Sequence, residues 1–136
     1  MKIFLITSKS AYGTIPPIKK ELESAGHVIT LPNCYDDTGA EERQREMGRT
    51  QHAEWKSQML RHSTNVIEGS DAVLVLNVDK NGVKNYIGGA TFLEMYDAFR
   101  LGKKIYLLNE VPDGSLKDEI FGFQPVALNG DLAKIA

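Results

Sequence analysis

The 136 residues of this sequence are enough for one domain with a well-buried core. The formal net charge of −2 leaves no basic excess, so no binding to a nucleic-acid polymer is expected. The single cysteine, Cys34, excludes an intrachain disulfide, and without a cysteine cluster no metal site is predicted. No apolar run approaches the ~20 residues of a membrane span, so we expect no membrane partner and a cytoplasmic location.

The first half of the sequence alternates between apolar and helix-prone segments. An apolar run is followed by a polar loop, by a helix with apolar residues on one face, and by a second short strand. The next region is polar, and its charged start is consistent either with a mobile segment or with packing against a partner. The predicted elements are a strand at 2–7, a loop at 8–14, a helix at 15–25, a strand at 27–31, a loop at 33–39 and a polar helical region at 40–68.

The second half continues the alternation. Its first run is apolar on both faces, which is typical of a central parallel strand. A long polar loop follows, closes on a double glycine and leads into a helix. The predicted elements are a strand at 72–77, a loop at 78–89, a helix at 89–101, a strand at 104–108, a short helix at 116–121 and an edge-like strand at 125–128.

Strands and helices that alternate in this way predict an α/β fold with one domain over residues 1–136. We expect a doubly wound, flavodoxin-like or Rossmann-like parallel sheet of five strands, in the order 2-1-3-4-5, with right-handed crossovers. The switch point of that order lies between strands one and three. The loops at 8–14 and 78–89 are therefore predicted to face each other across a ligand cleft.

Glu94 is the strongest candidate for chemistry. It follows Gly88-Gly89 by about one helical turn, and the tilt of Cβ atoms aims its side chain back toward the loop. Small or apolar residues share its helix face, so the carboxylate is expected to be partly buried. Such a group suits a nucleophile or general base. The alternative is a glutamate that is merely stabilised by the helix dipole.

Three further groups of residues are candidates for ligand binding. Glycines such as Gly88 and Gly89 allow a close backbone approach to a ligand, although a tight turn would need them as well. The first loop carries hydroxyls and one ammonium group suited to a phosphate or a sugar; an ordinary polar loop is equally consistent. Polar residues also follow the third strand, at the edge where ligands bind. The candidates are Thr7, Ser8, Lys9, Ser10 and Tyr12 in the first loop, and Asn77, Asp79 and Tyr86 after the third strand.

The segment SDAVLVLNVDKNGVKNYIGGATFLEMYDAFRLGKKIYLLN, at residues 70–109, resembles the nucleoside 2-deoxyribosyltransferase superfamily, and in particular a branch of short α/β proteins. The resemblance extends to DEIFGFQPVALNGDL at 118–132, and loosely to the first strand and its loop. The superfamily includes base-exchanging transferases and deoxynucleotide N-hydrolases, which use a glutamate early in the helix after the third strand. Glu94 matches that glutamate by position.

The resemblance implies that Glu94 attacks the anomeric carbon of a 2′-deoxyribosyl group and that no cofactor is needed. The substrate would be a small molecule, either a deoxynucleoside or a deoxynucleotide. Transferases of the superfamily often have an aspartate where this chain has Gly88. They have another on the helix before the third strand, where this chain has His62-Ser63-Thr64. Asp79 or Tyr86 would then have to protonate the leaving base.

Two other functions are consistent with the same residues. A non-catalytic nucleotide-binding or sensing domain is favoured by the missing aspartates, because a fold does not determine a function. A flavodoxin-like redox or signalling domain is disfavoured because the first loop lacks the flavodoxin pattern and no phospho-acceptor aspartate follows the third strand. The superfamily also implies oligomers, and the polar region at 40–68 has few apolar residues to bury, so we predict a homodimer.

Overall fold

The structure is a computed structural model that describes residues 1–136. Its sheet has five strands, all parallel, in the order β2-β1-β3-β4-β5. The predicted fold class and strand order are therefore confirmed. The strands are β1 (Lys2–Ile6), β2 (Val28–Thr30), β3 (Ala72–Val75), β4 (Lys104–Leu107) and β5 (Val126–Ala127), and the helices are α1 (Ile15–Ser24), α2 (Ala40–Glu46), α3 (Arg49–Glu68), α4 (Gly89–Arg100) and α5 (Lys117–Gly122).

The two central strands bury side chains on both faces of the sheet. In β1, Ile3 and Leu5 belong to one core, whereas Phe4 and Ile6 belong to the other. The strand therefore reads as a continuous apolar run, as expected for a strand covered by helices on both sides. The first core includes residues of α1, and the second includes residues of α3, α4 and α5.

The main difference from the sequence expectation lies in the polar region at 40–68. It forms two helices, α2 and α3, which are separated at Gly48, where φ is +112°. Side chains of Glu41, His52 and Lys56 join the two helices through hydrogen bonds and ion pairs. The segment therefore packs onto its own chain as a helical pair, a possibility that its hydropathy did not indicate.

Two loops at the carboxyl edge of the sheet have defined local structure. The first loop contains a 3-10 helix at Lys9–Thr14. The loop after β3 contains a tight turn in which Lys80 and Val83 pair across Asn81-Gly82, both of which have positive φ. This conformation suits asparagine and glycine, which tolerate positive φ in such turns.

None of the helices is both long enough and apolar enough to cross a membrane.

Candidate active site

A cleft opens at the switch point between β1 and β3, where the fold predicts a ligand site. It encloses about 150 Å³. The first loop forms one side, α3 and the loop before α2 form another, and the start of α4 forms the floor. Its polar lining consists of Thr7, Lys9, Tyr12, Asn33, Asp37, Thr38, Glu41, Lys56, Ser63 and Glu94, and its larger apolar side chains are Trp55, Met59 and Leu60.

Glu94 reaches this cleft from α4. Ala90, one turn earlier, also lines the cleft, and Ala98, one turn later, is fully buried. The helix face predicted to turn inward therefore does so, and the carboxyl group is only partly accessible. Glu94 takes part in none of the ion pairs of the chain, which are Lys19–Glu23, Arg43–Asp37, Arg45–Glu41, Arg45–Glu42, His52–Glu41, Lys56–Glu41, Arg100–Asp97 and Lys117–Asp113.

The surroundings of Glu94 favour its neutral form. Burial is the main cause that raises the pKa of the Glu94 carboxyl from 4.5 to about 7, and the charge of Asp97 adds to the rise. The Ser63 hydroxyl and the charge of Lys56 oppose it. A carboxyl group with a pKa near neutrality, in a cleft and without an ion-pair partner, has the properties expected of a group that reacts.

Asn33 connects two hydroxyl groups that line the same cleft as Glu94, those of Tyr12 and Ser63. Its side-chain Nδ2 donates to Ser63 Oγ at 2.7 Å and to the Met59 carbonyl at 3.2 Å. Its own carbonyl accepts a hydrogen bond from the Tyr12 hydroxyl at 3.2 Å. Burial, with smaller contributions from the charges of Cys34 and Glu94, raises the pKa of Tyr12 to about 12, so this hydroxyl keeps its proton.

The residues predicted in the first loop divide into two groups. Thr7, Lys9 and Tyr12 line the cleft, whereas Ser8 and Ser10 do not and instead share a hydrogen bond of 3.0 Å. Thr7 donates to the Leu76 carbonyl at 2.8 Å, and Lys9 donates to the Thr38 carbonyl at 2.7 Å. The ammonium group of Lys9 keeps further N–H groups for a ligand.

The residues predicted after the third strand lie outside the cleft. The fully buried Asn77 exchanges hydrogen bonds with Asn109 and also donates to the Glu110 carbonyl, which ties the ends of β3 and β4 together. Asp79 accepts from the backbone of Asn85 at 2.9 Å, within its own loop. Tyr86 borders a separate depression beside α5, with Lys80 above its ring.

Gly88 and Gly89 start α4 and lie beside the cleft without lining it. A Cβ atom at Gly88 would meet the Tyr86 ring at 3.4 Å, and neither glycine has a positive φ. Since 3.4 Å is an ordinary van der Waals distance, neither space nor backbone conformation requires glycine at position 88. The cleft is reached by the next residue, Ala90.

Sequence reasoning missed the wall of the cleft that α3 and the preceding loop form. Lys56, Met59, Leu60 and Ser63 recur at helical spacing and all face the cleft. That periodicity was visible in the sequence, but no local pattern indicated which surface these residues cover.

Glu41 of α2 also lines the cleft. Burial opposes ionisation of Glu41, yet His52, Lys56 and Arg45 together hold its pKa below the usual range.

The carboxyl groups of the cleft are not arranged to bind a metal ion. No set of three or more His, Cys, Asp or Glu side chains is arranged to hold one. Asp37 pairs with Arg43, whose hydrogen bond is the main cause that lowers the pKa of this carboxyl. Glu94 is thus the one carboxyl group of the cleft without a basic partner.

The fold is similar to those of two solved enzymes. One is a CMP N-glycosidase of Clostridium botulinum, with a TM-score of 0.55 and 17% identity over 93% of this chain and 83% of the other. The second is a 2-deoxyribosyltransferase of Bacillus psychrosaccharolyticus, with a TM-score of 0.56 and 17% identity over 93% of this chain and 98% of the other. No protein-family model matches the sequence, and no curated protein matches it. The resemblance to the nucleoside 2-deoxyribosyltransferase superfamily is thus confirmed as a similarity of fold, which this chain shares with an N-glycosidase and a deoxyribosyltransferase.

Proposed function

We propose that the protein cleaves or transfers the N-glycosidic bond of a 2′-deoxynucleoside or its 5′-monophosphate, with Glu94 as the nucleophile. One observation carries the proposal: a carboxyl group without an ion-pair partner lines the switch-point cleft, and its pKa is raised to about 7. The similarity in fold to an N-glycosidase and a deoxyribosyltransferase supports it.

The proposed reaction proceeds in two displacements. One oxygen of the Glu94 carboxylate forms a bond to the anomeric carbon while the bond from that carbon to the base breaks, and the base leaves with the electron pair and gains a proton. The result is a glycosyl ester on Glu94. Water in a hydrolase, or a second base in a transferase, then attacks the same carbon and loses a proton while the ester bond to Glu94 breaks, which releases the carboxylate.

The cleft offers two ammonium groups to the substrate, those of Lys9 and Lys56. Lys56 bonds Glu41 at 3.0 Å, and Lys9 bonds one carbonyl, so both keep N–H groups for a phosphate, a sugar hydroxyl or a base oxygen. Trp55 and Tyr12 provide aromatic surface for the base or the sugar. Asp79 and Tyr86, which lie outside the cleft, stay sequence predictions for the proton donor to the leaving base.

The second candidate function is a non-catalytic nucleotide-binding or sensing domain. One observation favours it: the two remaining carboxylates of the cleft, Asp37 and Glu41, are engaged by basic side chains, which favours their ionised forms over a proton-donating one. Binding would then occur without turnover. Both functions predict the same ligand class, so turnover distinguishes them.

A turnover screen tests the proposal. The purified protein is incubated with the four deoxynucleosides and their 5′-monophosphates, with and without an acceptor base, and base release is followed by chromatography. Glu94→Ala should reduce turnover by about three orders of magnitude or more, because it removes the nucleophile. Glu54→Ala, at an exposed position of α3, is the matched control and should keep full activity.

Each outcome of the screen has a distinct meaning. Free base without acceptor indicates a hydrolase, and exchanged nucleoside only with acceptor indicates a transferase. Turnover by a folded Glu94→Ala protein contradicts the proposed nucleophile. Ligand-induced stabilisation without turnover of any substrate supports the binding domain instead.

We also propose that the chain forms a homodimer. Phe92, Tyr96 and Phe99 recur along the outer face of α4, and each ring lies within 6.3 Å of the Phe123 ring. We call these four residues the aromatic patch. Tyr96 and Phe99 are each about half exposed, at 48% and 47%. Aromatic side chains exposed together on a helix are typical of a surface that binds another protein.

A further inference from the structure

Two hydroxyl groups line the same cleft as the Glu94 carboxyl, those of Tyr12 and Ser63, and they differ in whether their proton is already donated. The Tyr12 hydroxyl donates to the Asn33 carbonyl at 3.2 Å. A hydroxyl has a single proton, so Tyr12 cannot donate to Glu94 while this bond is held. Ser63, on α3, is the other hydroxyl, and its side chain is buried, with only 4% of the residue exposed.

The orientation of the Asn33 amide follows from its neighbours. Its Nδ2 lies 3.2 Å from the Met59 carbonyl, which can only accept hydrogen bonds. The group that faces Met59 must therefore be the NH2 and not the oxygen, which removes the usual ambiguity of an amide side chain. The same Nδ2 lies 2.7 Å from Ser63 Oγ, so Ser63 accepts this hydrogen bond.

The Ser63 proton is then left with few acceptors. Serines and threonines in helices often donate to the carbonyl four residues earlier, as Ser70 does to Val66 at 2.7 Å just after the end of this helix. Ser63 makes no such bond to Met59, whose carbonyl accepts from Asn33 instead. The Glu94 carboxylate lines the same cleft and can accept this proton, and the Ser63 hydroxyl acts to lower its pKa.

We propose that Asn33 is a positioning residue: it holds the Ser63 oxygen as an acceptor and thereby turns the Ser63 proton toward one oxygen of Glu94, which leaves the other oxygen free for attack at the anomeric carbon. The inference rests on Glu94 as the nucleophile of the proposed function. A hydrogen bond to a carboxylate favours its charged form, so the relay from Asn33 through Ser63 opposes the effect of burial.

Other titratable groups also line or face the Glu94 site and must stay constant in a test. Asp97 faces it from the same helix, Lys56 from α3 and Tyr12 from the first loop. None of these residues is changed in the variants below. The proposal concerns only the direction of one hydroxyl proton, which two substitutions alter in different ways.

The pH midpoint of Glu94 titration depends on whether the Ser63 proton points toward it. This midpoint can be measured even if the protein has no enzymatic activity. Carbon-13 NMR of protein labelled at the glutamate carboxyl follows each glutamate, and Glu94→Gln identifies the resonance by its loss. Ser63→Ala removes the donor and should shift the Glu94 midpoint upward by about one pH unit. Ser57→Ala, at an exposed position of the same helix, should leave the midpoint unchanged.

Asn33→Asp tests the relay itself. An aspartate carboxylate accepts and does not donate, so the Ser63 proton should turn away from Glu94 and toward the new carboxylate. The midpoint of Glu94 should rise, partly because of the added negative charge. The same substitution in the Ser63→Ala background measures the effect of the added charge alone, because the Ser63 hydroxyl is absent. The upward shift caused by Asn33→Asp should be clearly smaller there than in the protein that keeps Ser63.

The outcomes separate the inference from the proposed function. An unchanged Glu94 midpoint in folded Ser63→Ala, or an equal effect of Asn33→Asp with and without the Ser63 hydroxyl, would overturn the positioning role. The predicted shifts in a protein without turnover would leave the relay standing and remove the proposed function. If the protein is active, the acid limb of kcat/KM should move with the NMR midpoint in each variant, and Ser63→Thr should restore the wild-type limb.

Discussion

The Glu94 carboxyl group lies in surroundings that favour its protonated form. Burial raises its pKa from 4.5 to about 7, so the folded protein binds a proton that the unfolded chain releases at lower pH. The resulting stabilisation is fully present below the unfolded pKa and is lost as the pH rises through about 7. Above that pH the ionised carboxylate is retained in the fold at a cost in stability.

Glu94→Gln therefore has a predicted effect on stability that depends on pH. At about pH 8 the neutral glutamine should raise the free energy of unfolding by roughly 2 kcal/mol relative to the wild type, because it removes a partly buried charge. At about pH 4 the two proteins should be equally stable. Urea unfolding at both pH values measures the difference, with Glu54→Gln as the exposed control. An equal effect of Glu94→Gln at the two pH values would contradict the raised pKa.

The break between α2 and α3 is the element that shapes the cleft. Gly48 has φ of +112° and ψ of +166°, a conformation that is essentially restricted to glycine. It turns the chain so that Glu41 of α2 lies beside His52 and Lys56 of α3. Glu41 and Lys56 both line the cleft, so the conformation of one glycine contributes to the position of a wall of the site.

Gly48→Ala should lower the free energy of unfolding by about 1–3 kcal/mol, because an alanine resists this backbone conformation. No atom lies within 4 Å of the position that its Cβ would take, so a steric clash is not the reason. Gly13→Ala is the matched control, since Gly13 has equal space and no positive φ. Urea denaturation of both variants measures the effect. Equal destabilisation by the two substitutions would remove the argument from backbone strain.

Most helices and strands could be predicted because the sequence patterns that indicate them are local. The break at Gly48 was missed because it depends on contacts between the two helices. Strands such as β3 are apolar throughout, and α4 begins at a double glycine. Residues 40–68 are helix-prone on both sides of Gly48, and one glycine within such a region is compatible with a continuous helix. The two helices are joined by side-chain contacts across the break, and these depend on tertiary structure.

At the scale of the whole molecule, the predicted strand order was enough to place Glu94 at the cleft. It was not enough to predict which residues line the opposite wall. The order 2-1-3-4-5 brings the loop after β1 and the start of α4, the helix that follows β3, to one cleft, and Glu94 follows from helical geometry within that frame. The loop at 78–89 does not line this cleft, contrary to the sequence prediction. Asn33 and Ser63 meet across 30 residues of sequence, through the packing of α3 over the cleft. No local pattern predicts that contact, so these two residues appear only in the structure.

The aromatic patch of Phe92, Tyr96, Phe99 and Phe123 leads to a prediction for the assembly. The inner face of α4 carries Glu94 to the cleft, while its outer face exposes rings that a second copy of the same helix can cover by two-fold symmetry. Aromatic rings are the residues most enriched in the cores of such interfaces. The patch is therefore a more suitable contact than the charged surface of α2 and α3, whose ion pairs are satisfied within the chain.

Light scattering should accordingly give the mass of two chains for the wild type, and Phe99→Lys should give one, because a buried unpaired ammonium group is costly in an apolar interface. Phe121→Lys, at an exposed phenylalanine outside the aromatic patch, is the control and should stay dimeric. A wild-type mass of one chain at micromolar concentration would refute the dimer. A wild-type dimer that tolerates Phe99→Lys would move the interface away from α4. Since Glu94 and the patch occupy opposite faces of one helix, loss of the dimer together with a lowered kcat would further indicate that the second copy stabilises α4 for catalysis.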